Sequence, residues 1–146
     1  LPYRLPVSPA DGPETTREVV KLALDIEMKG KRRLLITAAG DRPDGFIEDM
    51  ARATVGAFAD YFCTDWVDLR GRAAGEVSEM LAAALRNAGV DPERIHIIPD
   101  HEDAIRAAYS GLGPDDLLLD TFGSNVGPRW CAQRSLKMQG SGLVPA

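Results

Sequence analysis

Two short stretches of this chain bring together residue types that can do chemistry. Gly40-Asp41-Arg42-Pro43-Asp44 joins a glycine, an adjacent carboxylate and guanidinium, and a second carboxylate. Gly40 would let a ligand approach the backbone, Asp41 could accept from a sugar hydroxyl or an amino group, and Arg42 could hold a phosphate or carboxylate in its planar fork. Asp68-Leu69-Arg70-Gly71-Arg72 places two guanidinium groups about a glycine, beside one carboxylate. Arg70 and Arg72 could grip a carboxylate bidentately while Asp68 fixes their geometry. Each stretch also reads as an exposed charged turn, with Asp44 as a helix cap.

Other candidates carry less. His96 lies in an apolar run and His101 at a helix start, and neither stands at metal-ligand spacing from a cysteine or carboxylate, so both read as structural. Cys63 reads as a small core residue and Cys131 as a tail residue. Lys29, Lys31, Arg32 and Arg33 read as a solvated basic turn, and Asp100, His101, Glu102 and Asp103 as capping and dipole residues. The sequence has no GxxxxGK[ST] phosphate loop, no GxGxxG and no GxSxG turn. No catalytic residue and no metal-ligand set is therefore assigned.

The elements that must position the two stretches follow from periodicity. Asp11-Gly12-Pro13-Glu14 opens a helix with Val19, Leu22, Ala23 and Ile26 on one face, running to about Lys29 and stopping at Gly30. Arg33 to Ala38 is an apolar run that fits a buried parallel strand. Asp44 would cap a second helix carrying Phe46, Ile47, Met50, Thr54, Ala57, Phe58 and Tyr61. Tyr61 to Val67 then reads as a strand. A third helix holds Val77, Met80, Leu81, Ala84, Leu85 and Ala88 and closes at Gly89. Ile95 to Pro99 is a strand, Asp100 caps a helix ending at Gly111, and Leu117 to Phe122 is another strand. Leu5 to Val7 adds one more at the start.

Such alternation predicts an α/β fold, a Rossmann-like three-layer sandwich with a mostly parallel sheet flanked by helices. In such sheets ligands bind at the carboxyl ends of the strands, where both charged stretches would lie, so the two loops are expected to face one cleft. The domain should cover residues 1–123. The remainder, 124–146, reads as an irregular tail with Trp130 as its anchor.

The chain has 146 residues, 45% hydrophobic and 27% charged, with a formal net charge of -5. That acidity disfavours a nucleic-acid partner, which would call for basic excess. No apolar run approaches the roughly 20 residues of a membrane span. Two cysteines make no disulfide framework, which points to a cytoplasmic compartment. Because the chain begins at Leu1 and continues through a loop-like, proline-rich start, it reads as a piece of a longer or processed protein.

Three stretches together resemble the C-terminal domain of Mur-type ligases: Gly40-Asp41-Arg42-Pro43-Asp44 before Phe46-Ile47, Asp68-Leu69-Arg70-Gly71-Arg72 before Gly75-Glu76-Val77, and Ala88-Gly89-Val90-Asp91-Pro92-Glu93-Arg94-Ile95. Within that family the sequence is most similar to the cyanophycin synthetase branch, where a GDR loop precedes a DLRGR loop. Asp103 to Ala108 and Gly113 to Leu117 continue the similarity, which covers roughly Val20 to Phe122. The resemblance implies the last module of an ATP-dependent amide ligase. A central ATPase domain, absent here, would hold most of the ATP and Mg²⁺ and form an acyl phosphate, and this module would bring the incoming amino acid to attack it. By the same analogy Gly40, Asp41 and Arg42 belong near the nucleotide and the interdomain cleft, and Asp68, Arg70 and Arg72 near the amino acid; for a cationic substrate Asp65 or Asp68 would add a carboxylate. The isolated domain would be inactive, and a homo-oligomer is compatible with this reading. The family's DYAHNP-like entry segment is replaced by Val7-Ser8-Pro9-Ala10-Asp11-Gly12-Pro13, and Asp120 to Asn125 only loosely resembles the family's last strand and loop. The alternative reading is a non-catalytic module derived from such a domain, recognising a small anionic metabolite or a protein partner.

Overall fold

A computed structural model describes residues 3–6, 12–121, 134–139 and 142–145, with side chains described over 12–121. Its elements, in chain order, are β1 (Tyr3–Pro6), α1 (Gly12–Asp25), β2 (Arg32–Ile36), α2 (Asp44–Arg52), β3 (Asp60–Cys63), α3 (Glu76–Asn87), β4 (Ile95–Ile97), α4 (His101–Tyr109), β5 (Leu117–Asp120), β6 (Arg134–Gln139) and β7 (Gly142–Pro145). A short 3-10 turn at Pro92–Arg94 leads into β4.

The strands lie in the order β4-β3-β2-β5-β1-β6-β7. Every pairing from β4 across to β6 is parallel, and only β6 with β7 is antiparallel. Side chains alternate across the sheet because a strand has a period of two. Leu34, Ile36, Tyr61, Cys63, Leu117 and Leu119 pack against Val19, Ala23, Ile47, Met50, Val77 and Leu81 of α1, α2 and α3. Leu35, Phe62 and Leu118 pack on the opposite face against Ala104, Ile105, Ala108 and Tyr109 of α4. This is the expected α/β, Rossmann-like architecture: helices on both faces of a parallel sheet. No helix among the described residues is long and apolar enough to cross a membrane.

Several boundaries differ from expectation, each for a physical reason. The first helix ends at Asp25 rather than near Lys29. The guanidinium of Arg32 donates there to the carbonyls of Ala23 at 3.0 Å and Ile26 at 2.7 Å, satisfying acceptors that a helix end leaves open. Its neighbour Arg33 points through the other face and donates to Ala108 and Ser110 at the end of α4. Lys29 and Lys31 are exposed as expected, but Arg32 and Arg33 are not part of a solvated turn: consecutive strand residues face opposite layers, and these two arginines each close a different helix.

The second helix stops at Arg52, well short of Tyr61. The chain turns through Gly56 at φ 88, and the Tyr61 hydroxyl reaches back from β3 to the Thr54 carbonyl at 2.9 Å. The 124–146 stretch, expected to be irregular, contains β6 and β7. β1 would otherwise leave its outer backbone groups unpaired, and β6 pairs with it through Tyr3↔Arg134 and Arg4↔Ser135. Trp130, Cys131, Phe122 to Asn125 and the segment from Val7 to Asp11 lie outside the described residues.

Candidate functional site

The loops after β2 and β3 leave the sheet at the carboxyl ends of adjacent parallel strands, so they emerge side by side. The structure brings both predicted stretches into one contact, as expected. Gly40 is the point of closest approach. A Cβ there would lie 2.3 Å from the Leu69 carbonyl oxygen and 3.0 Å from Cγ of Arg72. Only glycine allows this packing, and the backbone it admits is that of the second loop rather than a ligand's.

Arg72 ties the loops together and is only 15% exposed. Its Nε donates to the Gly40 carbonyl at 2.8 Å, one terminal nitrogen to the Arg42 carbonyl at 2.8 Å, and the other to Glu76 at 3.1 Å. The nitrogen that serves Arg42 also lies 2.8 Å from the Asp44 carboxylate. Asp44 is thus not the cap of α2. Pro43 occupies that position without a side-chain bond, and Asp44 is the first helical residue, with its carboxylate on Arg72. The hydrogen bond to Asp44 raises the Arg72 pKa above its ordinary value, with Glu76 adding and partial burial opposing. Since all three of its nitrogens are engaged, Arg72 holds the two loops in place instead of offering an open fork.

Arg70 is placed differently. Its backbone is left-handed at φ 48, followed by Gly71 at φ 89, and its amide donates to Asp68 Oδ1 at 3.1 Å. Its guanidinium reaches the first loop, where one nitrogen lies 3.2 Å from both carboxylate oxygens of Asp41. The side chains of this pair are 43% and 55% exposed. Arg42, next to Asp41 in the chain, is exposed, with its guanidinium carbon 5.1 Å from the Phe46 ring centroid in a cation–π contact.

Asp65 is excluded from the open site. It is buried, accepting from the Gly75 amide at 2.6 Å and the Ser78 amide at 3.0 Å, and so caps α3 from ten residues upstream. Asp100 does the same locally for α4 through the Asp103 amide. His96 rests 3.2 Å from Asp60 and stacks on Phe62, Cys63 is buried in the core, and His101 begins α4. Among the described residues no three carboxylates, imidazoles or thiols come together as a metal site.

Sequence reasoning missed a polar seam where β2 and β5 end. The Thr37 amide donates to the Thr121 hydroxyl, which donates onward to the Leu35 carbonyl. Asp120 beside it is fully buried and accepts from the Tyr109 hydroxyl at 3.3 Å. The signal was the abrupt polar ending of the run Leu117-Leu118-Leu119-Asp120-Thr121.

No curated protein matches the chain at a significant level. Among solved structures, one described as UDP-N-acetylmuramoyl-L-alanyl-D-glutamate--2,6-diaminopimelate ligase is similar in fold, with a TM-score of 0.58 and 20% identity over 80% of this chain. This chain spans 23% of that protein's length. The family model for the Mur ligase glutamate ligase domain matches residues 5–124. That match takes in the elements from α1 to β5 and both charged loops, and on it the chain belongs to the Mur ligase glutamate ligase domain family.

Proposed function

We propose that this chain is the C-terminal substrate-binding module of an ATP-dependent amide ligase of the cyanophycin synthetase type. It would work in the cytoplasm against a central ATPase domain and present an incoming amino acid to an acyl phosphate. The observation that supports this reading best is the Asp41–Arg70 pair, an exposed guanidinium and carboxylate held on two facing loops at the carboxyl edge of the sheet.

In this role Arg70 pairs the amino acid's α-carboxylate. Asp68 orders the loop through the Arg70 amide, and Arg72 is the tie that keeps Arg70 opposite Asp41. Gly40 serves the loop contact, and the exposed Arg42 would suit a phosphate oxygen of a nucleotide across the interdomain cleft. The described donors suit phosphate but not Mg²⁺, so the metal belongs with the central domain. ATP and Mg²⁺ would supply the activation of the acceptor carboxylate. This chain's residues would hold the amino acid by its carboxylate and direct its amine toward the acyl phosphate.

Joined to its central domain, the chain should support release of phosphate from ATP that depends on an added amino acid, and alone it should support none. A complete enzyme that releases no phosphate with any amino acid would remove the proposal.

A further inference from the structure

We infer that Asp41 is a specificity-determining residue, forming with Arg70 an ion pair that a zwitterionic ligand exchanges more favourably than an anion or a cation alone. The inference rests on the reading of this site as an amino-acid site. It adds a discrimination rule that the reading itself does not contain.

Arg72 is fixed by bonds to Gly40, Arg42, Asp44 and Glu76, so the backbones of the two loops stay in register. The Arg70 and Asp41 side chains are half-exposed, and a pair of this kind in water is weak enough to open. A bare carboxylate that takes Arg70 strips Asp41 of its partner and sets two negative charges side by side. A bare ammonium that takes Asp41 leaves Arg70 with only the longer 3.8 Å approach of Asp68 and sets a second cation beside it. A ligand carrying both groups gives each side chain a new partner, so the Asp41–Arg70 pair becomes two ion pairs and neither side chain is left facing a like charge without a partner. The repulsion supplies the discrimination against the wrong ligand.

Minimal probes test this on the 146-residue chain by following its backbone amides in NMR titrations with glycine, acetate and methylammonium. In the wild type, glycine should shift the amides of Gly40 to Arg42 and Asp68 to Arg72 at about fivefold lower concentration than acetate or methylammonium, the upper end for exposed pairs. Asp41→Asn should bind acetate up to about fivefold more tightly than the wild type and lose the preference for glycine. A residue that only braced the loops would not give this gain. Arg70→Ala should respond to neither glycine nor acetate. Unchanged amides elsewhere in each variant verify the fold. Equal midpoints for glycine and acetate in the wild type, an unchanged acetate midpoint in Asp41→Asn, or no shift of these amides with glycine would each overturn the inference. Failure of the ligase reading shows separately, as absent amino-acid-dependent phosphate release in the complete enzyme.

Discussion

The side chain of Arg72 donates through Nε to the carbonyl oxygen of Gly40 at 2.8 Å, across 32 residues of sequence. This bond, with those to the Arg42 carbonyl and to Asp44, makes two separate loops into one rigid edge above the sheet. Asp41, Arg42, Asp68 and Arg70, charged residues outside the tie, stay exposed at this edge.

Removing the tie should cost stability as well as order. Arg72→Ala deletes charge-assisted bonds to two loop carbonyls from a mostly buried side chain, and should destabilise the chain by about 2 kcal/mol in urea unfolding. Arg72→Lys should recover little of this, because one ammonium cannot span the same four acceptors. A loss below about 0.5 kcal/mol, the range of ordinary surface substitutions, would show that the loops pack without it.

Gly40→Ala attacks the same contact from the other side. The new methyl would stand 2.3 Å from the Leu69 carbonyl oxygen, which is backbone and cannot swing aside. The expected cost is about 1–3 kcal/mol. Combined with Arg72→Ala it should be less than additive, since both changes separate the same two loops. Full additivity in a double-mutant cycle would mean that the two residues act independently.

The fold was legible in the sequence because it depends on local periodicity. The runs ending in Leu34-Leu35-Ile36, Tyr61-Phe62-Cys63 and Leu117-Leu118-Leu119 are apolar on both sides, as central parallel strands must be. Asp100 caps α4 from the adjacent position, where spacing reveals it. The pairing of the two charged loops was also legible, since parallel strand order puts consecutive loops at one edge. The division of labour within them was not. Whether Asp44 caps its own helix or meets Arg72 depends on a contact formed only in the folded chain, and the same holds for Asp65, whose partners Gly75 and Ser78 lie well downstream. Arg32 and Arg33 look like surface charge until the strand turns them toward opposite helix ends.

Asp65 gives a clean separation of structure from chemistry. Asp65→Ala leaves two amides at the start of α3 without their acceptor inside a buried pocket, and should cost about 1–2 kcal/mol by thermal or urea unfolding. Glycine should still shift the amides of the two charged loops in that variant. Loss of those shifts with the fold retained would return Asp65 to the ligand site.

Burial pushes the Cys63 thiol from 9.0 up to about 12, the Arg86 charge opposing and Glu79 adding. The folded chain therefore keeps a proton that the unfolded chain releases above pH 9, so stability should fall as pH rises from about 9 toward 12, by up to about 1.4 kcal/mol per pH unit from this group. Tyr61, also raised mainly by burial, pushes in the same direction. Iodoacetamide at pH 8 should leave Cys63 unmodified in the folded chain and label it in urea. Rapid labelling without denaturant would contradict the burial.

The most direct test of the central claim is the amino-acid dependence of phosphate release by the complete ligase, measured for the wild type and for Arg70→Ala. The KM for the amino acid should rise at least about tenfold, equivalent to losing about 1.4 kcal/mol of carboxylate binding, with the KM for ATP and the unfolding midpoint unchanged. An unaltered KM for the amino acid in a folded Arg70→Ala enzyme would contradict it, and would make the loop from Asp68 to Arg72 a charged turn and nothing more.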